Sequence, residues 1–328
     1  MKIKICFFIF FLSFSITIYS QNKTLTGKWI LDRIQFSNGS NLEINNPEYS
    51  TKIIYQIEPN SLKIIDQKFD ASFTANQIKT QFRTINYILK NNYLIIQEEK
   101  DKKVYYFLKA EEFVKKYPDF SLKKTIRNND TIYIANNLSD FNFDNDLSFH
   151  EYISQNMSQK DRPSKSFENL YFKVEFILTK NNKIKDIEII NSIDNVYDND
   201  YISSLKKSEK FLRNISDKDL LITNEVHHVK WKNDLTNSDE KKLYKLRAKG
   251  LEYYYSNKFE KAIENFSQIE NLKIKDNKFK GFIKESRIKL GISYLATGKN
   301  EDACNIFYKV GDKTTFEVRN FLIDFCSK

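Results

Sequence analysis

Seven residues near the C-terminus return at one fixed spacing. Gly250, Tyr253, Lys258, Glu260, Ala262, Phe266 and Ile269 are matched 41 positions later by Gly291, Tyr294, Lys299, Glu301, Ala303, Phe307 and Val310. Self-similarity at a fixed period commits a chain to stacking one supersecondary unit on another. Inside each copy a glycine is followed by a tyrosine, then by an alanine and a phenylalanine. Small Gly and Ala allow two antiparallel helices to approach closely, and the aromatic rings fill the space between them. Gly298 supplies the turn of the second unit, and Asn257 stands in its place in the first. Residues 240–328 are therefore expected to be all-α.

These spacings resemble those of the tetratricopeptide repeat. That family's period is about 34 residues, and the surplus falls in "NLKIKDNKFKG" as a loop or a lengthened helix. The run "TFEVRNFLIDFC", residues 315–326, supplies a last apolar helix to cap the pair. By resemblance, the first helix of each unit lines a peptide-binding groove. Tyr244, Arg247, Leu251 and Tyr254 share one helical face and are the candidates, though the same face could equally pack on a neighbouring module. Cys304 and Cys326 lie 22 residues apart. A disulfide between them is expected, with two buried thiols as the alternative, and it would pin the cap to the second unit.

Residues 22–115 follow a different period. "GKWILDRIQF", "TKIIYQIE", "SLKIIDQ", "FRTINYILK", "YLIIQEE" and "KVYYFLK" alternate every second residue and are separated by turn-formers such as "SNGS" and "KNN". Short strands at this spacing imply an antiparallel β meander that curls into a barrel or half-barrel. "LTGKWIL", with Gly27 and Trp29, resembles the opening strand of lipocalin-like domains, where the tryptophan plugs one end. Trp29, Ile54, Tyr55, Phe82, Tyr87, Tyr93 and Tyr105 are the expected inward positions. Side chains this bulky point to a filled barrel over a carrier of a small apolar ligand. "AEEFVKKYPDF" reads as a short helix ended by Pro118, and a polar connector follows.

"DFNFDNDLSFHE", residues 140–151, places Asp140, Asn142, Asp144, Asp146, Ser148 and Glu151 at the spacing of a calcium loop. Asn145 stands where such loops carry glycine, and the favoured reading is an Asp/Asn-rich linker that caps the next helix. Over residues 147–233 the order is helix, two alternating strands around "TKNNK", helix and final strand. Phe172, Val174, Phe176 and Leu178 fall on one face, with Ile184, Ile187 and Ile189 opposite. This small α+β pattern resembles the C-terminal domain of TonB-type periplasmic proteins. Val174, Phe176, Ile177, Ile184, Asp186, Ile187 and Ile189 meet the family's strand pattern. The family's Tyr-Pro and Pro-x-Trp-x-Pro are absent, so the resemblance implies fold and peptide or envelope-protein binding, and does not extend to transport coupling.

The N-terminus reads as a cleavable secretory signal, residues 1–20, with "MKIK" before a 15-residue apolar run. An uncleaved anchor is the alternative and would be the one route to membrane association. Without the leader, 51 Lys and Arg face 43 Asp and Glu, dispersed along the chain. That pattern reads as a solvated surface more than as a nucleic-acid footprint, for which Lys and Arg would cluster along one face, and no nucleic-acid partner is expected. His227 and His228 are adjacent in a strand and point to opposite faces. With His150 they are the only histidines, which leaves zinc and triad chemistry without parts. The expectation is a non-catalytic, multidomain scaffold or adaptor of the cell envelope, periplasmic or secreted, with no cofactor unless the loop binds calcium. A carrier using the barrel is the alternative. Composition and module types together resemble exported proteins of Bacteroidetes-like bacteria.

Overall fold

The computed structural model describes residues 25–64, 67–97, 102–138, 141–275 and 278–326. The expected signal sequence, with Cys6, lies outside them, as does Asp140. The chain divides into two compact units, the first ending at Asp119 and the second beginning at Phe120.

In the first unit the alternation closes on itself. Strands β1 (Gly27–Phe36), β2 (Ile54–Glu58), β3 (Ser61–Ile64), β4 (Gln67–Phe73), β5 (Gln77–Thr80), β6 (Thr84–Lys90), β7 (Tyr93–Gln97) and β8 (Lys103–Lys109) each pair with the next, and β8 returns to β1. The result is a closed eight-stranded antiparallel barrel. Asn91 and Asn92 both take positive φ, 51° and 65°. Two left-handed residues match the twist of a tight hairpin, and asparagine tolerates them better than most side chains.

Trp29, Leu31, Tyr55, Ile57, Leu62, Ile85, Tyr87, Leu94 and Phe107 are among the side chains of the buried core. The Trp29 indole N–H donates to Leu25 O at 2.7 Å. Three of the expected inward positions are displaced. Tyr55 and Leu94 point inward, so their neighbours Ile54 and Tyr93 face out by parity. Phe82 sits in the β5–β6 turn, 73% exposed, against Phe69. Tyr105 packs at the margin of the core.

A register shift between Leu31 and Arg33 marks a bulge in β1 at Asp32. Its buried carboxylate accepts from Tyr93 Oη (3.0 Å), Lys116 Nζ (2.8 Å) and Tyr117 Oη (2.7 Å). These bonds tie α1 (Ala110–Lys116) to the wall, and the helix stops two residues before Pro118, as its sequence requires. Burial alone would lower the Lys116 pKa, but the bond to Asp32 and its charge raise it above the usual range.

The second unit holds a five-stranded sheet in the order β13-β12-β15-β10-β9 and a small two-stranded ladder. Residues 121–138 are not a connector: β9 (Lys123–Arg127) and β10 (Asp130–Ile134) form a hairpin around Asn128 and Asn129, and β10 joins the sheet parallel to β15 (Leu220–His227). β11 (Phe141–Phe143) pairs with β14 (Leu212–Asn214). Helix α2 (Phe149–Asn156), strands β12 (Tyr171–Leu178) and β13 (Ile184–Asn191), α3 (Asn195–Ser208) and β15 follow in the anticipated order. Phe172, Val174, Phe176 and Leu178 are fully buried against Tyr201, Leu205, Phe149 and Ile153. Ile184, Ile187 and Ile189 share a face despite their odd spacing because Asp186, at φ 49°, lies where the β12–β13 register shifts.

Five helices complete the unit: α4 (Ser238–Tyr255), α5 (Phe259–Ile269), α6 (Lys280–Ala296), α7 (Asn300–Val310) and α8 (Phe316–Phe325). The 41-residue echo is visible atom by atom. A Cβ on Gly250 would come within 2.4 Å of the Phe266 ring, and one on Gly291 within 2.5 Å of the Phe307 ring. Asn257 (φ 55°) and Gly298 (φ 76°) make the equivalent turns. In both, the next lysine N–H returns to a tyrosine carbonyl at 2.9 Å, Lys258 to Tyr253 and Lys299 to Tyr294. Phe307 stacks on Phe321 of the capping helix at 4.8 Å. Cys304 and Cys326 are disulfide-bonded, with Cα atoms 5.6 Å apart. Between the two copies α5 ends at Ile269 and α6 begins at Lys280.

Candidate functional site

A cleft of about 1050 Å³ opens between the sheet and the helices of the second unit. One wall is the edge of β15. Along its whole length β15 pairs with β12, but β10 reaches only Leu220 and Leu221 before the chain turns away at Ala135. The direction of the open groups follows from the bonds at either end. Asp219 O and Leu221 O accept from Tyr133 and Ala135 on the β10 side, whereas the His228 N–H donates to Leu170 on the β12 side. Odd-numbered residues therefore turn their main chain toward β10 and even-numbered ones toward β12. Beyond Leu221, the main chain of Thr223, Glu225 and His227 faces the cleft and has no strand beside it among the described residues.

The facing wall comes from α6, which contributes Lys280, Gly281, Ile283, Lys284 and Arg287, with Ile269, Leu272 and Ile274 adding apolar surface. Its charges are mostly paired. Lys284 Nζ lies 2.7 Å from Glu317, Arg287 Nε 2.8 Å and Lys309 Nζ 3.1 Å from Glu270. Burial works against the Glu270 carboxylate, but the bonds from Arg287 and Lys309 outweigh it and hold its pKa below the usual range. Lys280 has no carboxylate within 4 Å among the described residues, and its Nζ sits 3.9 Å from the Tyr171 ring centroid.

His227 stacks on Tyr171 at 5.0 Å, with Nε2 3.5 Å from Glu225. Burial lowers its pKa; Glu225 opposes this, and Lys280 and Lys284 add to it. Burial also lifts the Tyr171 hydroxyl pKa, with Glu225 accepting its hydrogen bond. His228 points the other way, as strand parity demands. It meets Phe167 and Tyr197, bonds Tyr197 Oη at 3.1 Å, and lines a second cavity of about 240 Å³ with His150, Met157 and Tyr201. Burial lowers its pKa as well, with His227 adding to the effect.

The groove candidates on α4 lie apart from this cleft. Tyr244 Oη donates to Lys230 O, Arg247 pairs with Glu285 and lies 4.2 Å over Phe282, and Tyr254 is buried beneath Lys289. Leu251 is half-buried on the same helix. Sequence spacing brought these four onto one face, and the structure commits three of them to contacts within the unit.

In the calcium-like stretch, Ser148 and Glu151 form a reciprocal capping box at the start of α2. Asp144 pairs with Arg213 at 3.4 Å, and Asn142 lies within β11. Asp146 is exposed. No group of three or more His, Cys, Asp or Glu suited to a metal occurs among the described residues. Nor is any helix among them long and apolar enough to cross a membrane.

No family model, curated protein or solved structure matches the chain.

Proposed function

We propose that this protein is a non-catalytic binding scaffold that captures an extended peptide by adding it as a strand to β15. The observation that carries the reading is the unpaired main chain of Thr223, Glu225 and His227 inside the cleft. An open strand edge offers a peptide main-chain hydrogen bonds at alternate residues, while the surrounding walls read its side chains. About six residues of extended peptide span the free part of β15, at roughly 3.3 Å each. The cleft volume accommodates such a segment.

The helix, hairpin, helix and strand order supports a TonB C-terminal-like module, and the paired glycine–phenylalanine contacts support tetratricopeptide-like repeats as the second wall. Both resemblances favour an adaptor. An exported location, after removal of residues 1–20, belongs to the same reading. The carrier alternative gains nothing particular from a barrel core so heavily furnished with aromatic and aliphatic side chains.

The test is selection of a displayed library of random ten-residue peptides on the full chain, repeated with Thr223→Pro. Proline there removes an N–H from the open edge and leaves the β12 ladder intact. Enrichment on the wild type that is lost on Thr223→Pro supports strand addition. Equal enrichment on both places recognition elsewhere, and no enrichment overturns the reading.

A further inference from the structure

We propose that the strand taken up on β15 is an acidic one, with a carboxylate read by Lys280 at the His227 end of the cleft. The inference rests on the strand-addition reading and specifies its ligand.

The cleft wall carries Lys280, Lys284, Arg287 and Lys309 against Glu225, Glu270 and Glu317. Its positive excess is not spread evenly. Glu317 occupies Lys284, Glu270 is shared by Arg287 and Lys309, and Glu225 is engaged by the Tyr171 hydroxyl and faces His227. Lys280 alone among these cations is held by a ring and not by a carboxylate. A cation over an aromatic face keeps its hydrogen-bond donors available on the outward side. Tyr171 is the register partner of His227, so its ring fixes Lys280 at the last residue of the open edge.

A peptide paired along Thr223, Glu225 and His227 thus brings its terminal side chain, or its own terminal carboxylate, beside this ammonium. A neutral strand would gain the main-chain bonds and leave Lys280 without an anionic partner among the described residues. A carboxylate would add a charge-assisted bond at a partly desolvated position, a stronger interaction than a neutral one. A basic strand would bring a second cation beside Lys280 and forgo that bond.

The library selection supplies the probe. Its most enriched peptide is synthesised as found and with each Asp or Glu changed to Asn or Gln, and affinities are read by fluorescence anisotropy on the full chain. The expected result is acidic residues at one fixed position and a roughly tenfold loss on neutralisation. Lys280→Gln should bring the acidic peptide down to the affinity of its neutral partner, and Lys280→Arg should restore the difference. Enriched peptides that lack an acidic position, or that bind equally when neutralised, overturn the charge assignment and leave strand addition standing. Failure to enrich any peptide, or enrichment indifferent to Thr223→Pro, overturns both.

Discussion

The barrel and the five-stranded sheet answer the same difficulty in opposite ways. A sheet edge exposes a row of unpaired N–H and C=O groups, and the barrel abolishes its edges by joining β8 to β1. The second sheet blunts its outer edges by other means. β9 carries the exposed Lys123 and Lys124, and β13 is disturbed at Asp186. Its interior strand β15 is left half covered, because β10 leaves after two register pairs. What separates the two regions is not strand chemistry but where pairing stops. The closed barrel leaves no strand edge unpaired, while the interrupted sheet has hydrogen-bonding capacity to spare.

Several changes would break or sharpen that contrast. Phe107→Ala should have the largest effect, about 3–5 kcal/mol from the barrel core, since Phe107 is fully buried and stacks on Tyr55 at 4.8 Å. Chemical denaturation followed by Trp29 fluorescence reads it, and peptide binding should survive wherever the second unit stays folded.

Proline substitution should then distinguish the two kinds of strand. In β7, paired on both sides, Ile95→Pro and Ile96→Pro each remove a ladder bond and should each cost about 1–3 kcal/mol. In β15 the cost should depend on parity. Asn224→Pro breaks the β12 ladder and should cost a similar amount, whereas Thr223→Pro should cost well under half of that. Equal losses at 223 and 224 would mean that the β15 edge is not open.

The helical wall gives an effect no larger but with an unusual sign. Alanine for glycine inside a helix normally stabilises by about 1 kcal/mol. Gly250→Ala and Gly291→Ala should instead destabilise by about 1–3 kcal/mol, because the new methyl group meets Phe266 or Phe307. Gly281→Ala, with open space at its Cβ, serves as the control.

The smallest effect concerns pH. His227 and His228 both have pKa values lowered on folding, so the unfolded chain binds more protons in the window just below the ordinary histidine value of about 6.5. Stability should be fully present above that value and decline as pH falls through it. Melting curves between pH 7.5 and 5.5 should show the decline, and His228→Gln should reduce it without removing it, because His227 remains.

How much of this was legible in the sequence varies by element. The repeat was, down to the left-handed turns at Asn257 and Gly298, because glycine and aromatic residues at fixed spacing have few other uses. Six barrel strands were, but β4 and β5 were not. Gln67–Phe73 is largely exposed and spends Lys68 and Asp70 on solvent, so its apolar alternation is thin. The β9–β10 hairpin was hidden in the same way by "LKKTIRNND", whose charges protect an edge and mask a period of two. Register was the deeper obstacle. Nothing in "LLITNEVH" says that a parallel neighbour leaves after Leu221, and the cleft exists only because it does. Lys280 carried no signal either, since the ring that holds it lies 109 positions earlier. On α4 spacing grouped Tyr244, Arg247, Leu251 and Tyr254, but spacing does not tell an open face from one that packs on α6, where Arg247 and Tyr254 make their contacts.

The most direct test is residue-resolved amide hydrogen exchange across β15 in the full chain, free and with an enriched peptide bound. In the free chain Ile222, Asn224 and Val226 should be protected while Thr223, Glu225 and His227 exchange quickly, and the peptide should protect the second set. Uniform protection of residues 222–227 without peptide, or a bound peptide that leaves the odd-numbered amides unchanged, would contradict strand addition.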